Sequence, residues 1–199
     1  MIVFATFWFV HDPKSMTYIG FSPMFIFPTG DYNRDIGLNA VAGNRYKFQE
    51  EVGFVKGFCV MPGHNAYFQV KPGGVFETNN DNATNPITGL RDTKSTAPIF
   101  ELQSHLSYDV TKAFWTSFDY TLVTGGTDTF RFNDYVDPYS NAQRQTIGGT
   151  FAYNFAAGFQ ALIQYSWDIE VKNGYREQAF LFRLLYATDL GSLCGALTH

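Results

Sequence analysis

The chain has 199 residues, a formal charge of −4, 16% charged residues and 18% aromatic residues. A net-acidic chain with no basic cluster argues against a nucleic-acid partner, because nothing gathers phosphates. Soluble domains average about a quarter charged residues; so little charge beside so many Phe and Tyr is the composition of an outer-membrane barrel, where Tyr and Trp settle at the lipid headgroups.

No run reaches the roughly 18 apolar residues that a transmembrane helix needs. Residues 2–10 are apolar but have no basic flank before them and no small-residue cleavage site after them, so they read as a strand rather than a signal peptide. After the turn at 11–15 comes a second strand, 17–27, with Ile19, Phe21, Phe25 and Phe27 on one face. Pro23 lies inside it and predicts a bulge or a weakly paired position. Residues 28–44 form a long polar loop. A third strand covers 45–60, where Glu50 and Lys56 interrupt an apolar face and predict a bulge or an interfacial position.

The turn at 61–64 leads to a fourth strand from Ala66, whose end is obscured by Pro72, Gly73 and Gly74. Residues 78–98, rich in Asn, Asp and Thr, form a second long loop. The fifth strand, 99–108, sets Phe100, Leu102, Leu106 and Tyr108 against Glu101, Gln103, His105 and Ser107. The sixth sets Phe114, Phe118, Tyr120 and Leu122 against Ser117, Asp119 and Thr121. A third long loop covers 124–141. The seventh strand has Ile147, Gly149, Phe151, Tyr153 and Phe155 on one face. In the eighth, Phe159, Ala161, Ile163, Tyr165, Trp167 and Ile169 oppose Gln160, Leu162, Gln164, Ser166, Asp168 and Glu170. The ninth places Phe180, Phe182, Leu184 and Tyr186 opposite Arg183. Period two over segments this long is a strand signal, since a helix would scatter these residues around its axis.

Alternation alone fits two solvents. In a soluble barrel or sandwich the apolar face is the core; in a membrane barrel it meets lipid and the polar face lines the lumen. Loop lengths favour the second. Short turns alternate with long loops, which is the mark of an up-and-down outer-membrane barrel with periplasmic turns and extracellular loops. The reading is therefore an all-β, antiparallel, up-and-down transmembrane barrel with nine visible strands, one domain over 1–189 and a short tail over 190–199. This order leaves the N-terminus at the loop end. An even-stranded closed barrel brings both ends to the periplasm, so the sequence predicts a missing N-terminal strand, or an odd number of them.

The polar face yields the candidate lumen set: Glu101, Gln103, His105, Ser117, Asp119, Thr121, Gln160, Gln164, Asp168, Glu170 and Arg183. These residues either set the polarity of a permeation path or pair across a filled interior, for example Arg183 with Asp168 on the neighbouring strand. Arg45 and Asn44, at the loop end, hold a loop or meet lipopolysaccharide phosphates. Trp8, Trp115 and Trp167 read as interfacial girdle residues. His105, Ser107 and Asp109 allow a Ser-His-Asp reading, hence an outer-membrane lipase, but spacing cannot supply its geometry. No metal-ligand spacing involves the histidines, Cys59 or Cys194, and no Gly-rich phosphate loop follows a strand, so no metal or cofactor is expected.

Ordered fragments resemble a known family. These are Pro28-Thr29-Gly30 with Tyr32, then Asn44-Arg45-Tyr46, then Ser107-Tyr108, Trp115, Ser117 and Gly125-Gly126. Residues 143–145, Gln-Arg-Gln, stand where the family opens a strand with Asn-x-Arg. The chain is thus similar to the MetA-pathway of phenol degradation family of outer-membrane transporter-like proteins. The resemblance implies strands before the first one here, an outer-membrane location in a Gram-negative bacterium and uptake of small aromatic or hydrophobic compounds. Lipid and lipopolysaccharide are the expected surroundings. The alternative is a structural or adhesive barrel acting through its long loops.

Overall fold

The computed structural model describes residues 1–30, 32–33, 44–156 and 158–186. The large sheet is built from β1 (Ile2–Phe4), β2 (Phe7–Asp12), β3 (Thr17–Ile26), β4 (Lys47–Met61) and β5 (His64–Glu77), followed by β8 (Ile99–Asp109), β9 (Phe114–Gly125), β12 (Ala142–Ala156), β13 (Phe159–Lys172) and β14 (Gln178–Tyr186). The intervening β6 (Asn80–Thr84), β7 (Arg91–Thr96), β10 (Asp128–Phe130) and β11 (Tyr135–Val136) form a separate four-stranded sheet. Every pairing is antiparallel, and neighbours across the large sheet are neighbours in the chain apart from the excursions into the small one. β1 and β2 both pair with β3, one after the other, so they fill one position at that edge. Among the described residues the sheet is open between β1/β2 and β14.

Burial is inverted relative to a soluble protein. Along β13 the apolar members Phe159, Ile163, Tyr165, Trp167 and Ile169 are exposed, while Leu162 and Asp168 are buried. Phe118 is exposed beside buried Asp119, and Phe151 beside buried Thr150. A sheet in water buries its apolar face because exposing it is costly. This one displays Phe, Leu, Tyr and Trp outward and turns Asp119 and Asp168 inward. That decides the solvent: the outer face belongs in lipid.

The polar face is concave. Gln69 on β5 and Arg183 on β14 line the same cavity, although β8, β9, β12 and β13 lie between them. In a flat sheet, strands about 4.8 Å apart would hold them about 24 Å from each other.

Aromatic rings mark two levels of the outer face. Towards the long loops, Phe25, Phe48 and Phe76 stand side by side on β3, β4 and β5, with ring centroids 5.0 and 6.3 Å apart, and Tyr46 packs edge-on against Phe27. Towards the short turns, Phe155, Phe159 and Tyr186 make a chain with centroids 5.8 and 4.5 Å apart. Strands of ten or so residues at the usual tilt of such sheets separate two such levels by about 25 Å, the height of an outer-membrane apolar band.

The interruptions in the pattern have local causes. Pro23 causes no bulge towards β4, where the register stays in step from Thr17↔Lys56 to Ile26↔Lys47. Its missing N–H faces the other neighbour, at the break between β1 and β2. β4 and β5 are likewise in step from Lys47 to Cys59, so Glu50 and Lys56 are not bulge residues. Lys56 Nζ donates to the Ser15 carbonyl at 2.7 Å and to Thr17 Oγ1 at 2.9 Å, which anchors it at the turn end. Glu50 sits on the outer face next to Pro72, Gly73 and Gly74, near the loop-end start of β4. β5 is continuous through Pro72, but the ladder to β4 skips from Glu51↔Gly73 to Phe54↔Val70. Pro62-Gly63, with Gly63 at φ +83°, closes the β4–β5 turn in a conformation that glycine adopts without strain. The expected boundary at 189–190, the tail and Cys194 lie outside the described residues.

Candidate functional site: the polar face

The polar face is organised in two layers. Nearer the loops, Glu51, Glu101, Gln49 and Gln103 form one cluster across β4 and β8. Gln103 Nε2 donates to Glu101 Oε1 at 2.8 Å and to Glu51 Oε1 at 3.3 Å. Gln49 Nε2 donates to Glu51 at 3.0 Å and to Glu101 at 3.4 Å. Lys71 Nζ stands 3.9 Å from Glu51 and offsets one of the two charges. Two amides thus hold two carboxylates side by side, an arrangement that suits a wetted wall.

Nearer the turns, Asp119 is a hub. His105 Nδ1 lies 2.7 Å from its Oδ1, and Ser117 Oγ donates to the same oxygen at 2.8 Å. Thr150 Oγ1 and Gln164 Nε2 donate to Oδ2 at 2.8 and 3.4 Å. Four donors from β8, β9, β12 and β13 therefore converge on one carboxylate. Register brings them together: His105 faces Asp119, and Ser117 faces Thr150. A buried carboxylate is tolerable only when its lone pairs are filled, and these are. The hub borders a cavity of about 260 Å³, which Trp115, Leu162 and Arg183 also line.

The other candidates fall around these layers. Thr121 pairs with Gln103 and Thr146 in the ladder and shares their face. Gln160 donates to Asn154 Oδ1 at 2.9 Å near the turn end. Asp168 accepts from Thr146 Oγ1 at 2.6 Å and from the Glu177 amide at 2.9 Å. The expected Arg183–Asp168 pair does not form. Trp167 pairs with Gln178 and Leu162 with Arg183, so Arg183 lies towards the turn end, far along the strand from Asp168.

Glu170 is a further correction. A one-residue register shift between Gln145/Thr146 and the β13 partners skips Ile169, so Glu170 faces Gln145 rather than continuing the lumen row. Gln145 Nε2 donates to Glu170 at 2.6 Å, and Tyr120, on the outer face, donates to Gln145 Oε1 at 3.0 Å. Glu170 belongs to this polar outer rim. Trp8 and Trp115 are corrected in the opposite sense. Trp8 packs over inward-facing Gly20, where a Cβ would come within 3.0 Å of the indole, and Trp115 lines the cavity. Trp167 lies on the outer face, whereas Trp8 shares the polar side with Glu51, Gln69 and Lys71.

The Ser107–His105–Asp109 constellation is not assembled. Asp109 is the last residue of β8, at the turn end, where its carbonyl meets His64 Nδ1 at 3.0 Å. The carboxylate beside His105 comes instead from the next strand, and Ser117 gives its hydroxyl to that carboxylate rather than to the imidazole.

At the loop end, Arg45 pairs with Glu77 at 2.7 Å and donates to Thr96, whose hydroxyl donates to Asp128; Lys47 also reaches Glu77, at 2.6 Å. Asn44 Nδ2 donates to Asn80 Oδ1 at 3.2 Å. Both residues hold loop structure. The small sheet they secure occupies the stretches that read as plain loops.

A model of the family described as "Putative MetA-pathway of phenol degradation" matches residues 1–184. The chain belongs to this family. No curated protein matches it. Among solved structures it is similar to the COG4313 outer membrane channel from Pseudomonas putida F1, with a TM-score of 0.78 at 19% identity. The match covers 93% of this chain and 64% of that one, so the chain spans less than two thirds of that channel's length. At that identity the likeness speaks for the fold, and it agrees with the inside-out sheet: an antiparallel, up-and-down wall with its apolar face turned outward.

Proposed function

We propose that the chain forms part of the wall of an outer-membrane channel that passes small hydrophobic or aromatic compounds by diffusion along its polar face. The observation that carries this reading is the inverted burial: hydrogen-bonded carboxylates and amides line a concave face with a cavity, while the apolar face is turned to lipid. Family membership supports a link to phenol breakdown, and the P. putida relative is itself a channel. Selectivity would come from the charged layers at Glu51–Glu101 and Asp119–His105, placed so that a solute meets them in turn. The experiment is solute flux into proteoliposomes, with phenol as the probe and Asp119→Leu beside the wild type. The reading predicts phenol entry faster than in protein-free liposomes and altered in the variant. Entry equal to the protein-free rate, from protein shown to be folded, rejects it.

A further inference from the structure

The cavity beside the Asp119 hub is lined by one positively charged side chain, Arg183. Among the described residues no side chain or backbone group hydrogen-bonds or ion-pairs with Arg183. Asp119, the carboxylate lining the same cavity, already has both oxygens occupied by His105, Ser117, Thr150 and Gln164. The next carboxylate along β13, Asp168, is held by Thr146 and the Glu177 amide, at the other end of the strand. Arg183 is exposed on β14, at the open edge of the sheet, so its guanidinium can meet a solute on the polar face, and its planar fork matches a carboxylate.

The remaining walls narrow the class. Trp115 and Leu162 line the cavity beside the polar groups, which gives an apolar surface for a ring. Its volume of about 260 Å³ exceeds the ~150 Å³ in which an apolar cavity takes up benzene. That leaves room for one ring carrying a carboxylate. A purely inorganic anion would leave the indole uncovered.

We propose that this cavity is a binding site for small aromatic carboxylates, with Arg183 taking the carboxylate and Trp115 and Leu162 the ring. The inference rests on the channel reading and gives it a substrate class. It predicts that solutes at this level are sorted by charge, with benzoate held more firmly than a neutral ring of the same size.

The test is calorimetric binding of benzoate, benzyl alcohol, benzylamine and acetate to the folded, detergent-solubilised protein. Flux of the same solutes into proteoliposomes is measured in parallel. The wild type should bind benzoate at least about tenfold more tightly than benzyl alcohol or acetate, and benzylamine least, a difference of about 1.4 kcal/mol. Arg183→Gln should erase the preference for benzoate over benzyl alcohol, and Arg183→Lys should retain part of it. Equal binding of benzoate and benzyl alcohol by the wild type, or an undiminished preference in Arg183→Gln, overturns the proposal. Preserved benzoate binding with no flux of any solute would instead reject the channel and leave the site standing.

Discussion

Trp167 and Asp168 are adjacent in β13 with their exposures reversed: the tryptophan is 43% exposed and the aspartate 2%. In water, the indole would be inside and the carboxylate outside. Everything proposed for this chain follows from that exchange of places, repeated at Phe118–Asp119 and Thr150–Phe151.

The outer face should reject charge in lipid. Phe118, in the middle of β9 and 56% exposed, would cost about 2–4 kcal/mol as arginine near the bilayer midplane. The same substitution at an exposed site in water falls within about 0.5 kcal/mol. Urea titration of folding into phospholipid vesicles measures it, and an unchanged midpoint for Phe118→Arg would mean that this face does not meet acyl chains.

The Asp119 hub should be a stability element as well as a lining group. Asp119→Ala strands four donors that have no other partner in view. Hydrogen bonds to a charged acceptor are worth about 1.5–3 kcal/mol each, and the stranded groups can partly rehydrate in the cavity, so a net loss of about 3 kcal/mol is expected. Asp119→Asn should lose less, since the amide oxygen still accepts. Denaturant unfolding in detergent separates the two, and equal stability of all three proteins would show that the hub is only solvated polarity.

Most of the large sheet was legible because lipid and lumen impose strict alternation, as in β13. The short turns were legible from Pro62-Gly63 and their brevity. The small sheet was not, since β6 (Asn-Asp-Asn-Ala-Thr) and β7 (Arg-Asp-Thr-Lys-Ser-Thr) have no apolar alternation to detect. Their order comes from side-chain bonds such as Asn85 to Asp92 at 2.8 Å. The candidate site was legible by face but not by partner. His105 and Asp119 are 14 residues apart, and only the register of β8 on β9 joins them. Glu170 was misplaced because a single skipped residue changes the face that follows; Arg183 was placed on the right face, but its pairing with Asp168 failed because strand register selects its neighbours.

The loop-end ion pair should control access to the small sheet. Arg45 and Glu77 are both nearly buried, and removing one partner of such a pair costs about 3–5 kcal/mol. Lys47 remains beside Glu77, so Arg45→Ala should fall at the low end, about 3 kcal/mol. The readout is the rate of proteolysis within residues 78–98, which should rise; a rate identical to that of the wild type would assign Arg45 no structural role there.

Acid should loosen the same sheet. The Asn85 amide, then the backbone N–H groups of Phe132 and Thr93, hold the Asp92 carboxyl below its usual value of 3.8. A carboxyl lowered on folding contributes stability that is fully present above its unfolded pKa and is lost as pH falls through the folded one. Amide exchange in β6 and β7 should therefore accelerate as pH drops below about 4, after correction for the intrinsic rate. Asp92→Asn should flatten this dependence. A wild-type profile as flat as that of the variant would contradict it.

The most direct measurement is fluorescence quenching by lipids brominated on their acyl chains, with one of the three tryptophans retained at a time. The account predicts strong quenching of Trp167, whose indole faces outward, and weak quenching of Trp115, whose indole faces the cavity. Quenching of Trp115 as strong as that of Trp167, or no quenching of Trp167 in protein shown to be folded in the bilayer, would contradict the claim that the apolar face meets lipid and the polar face lines the path.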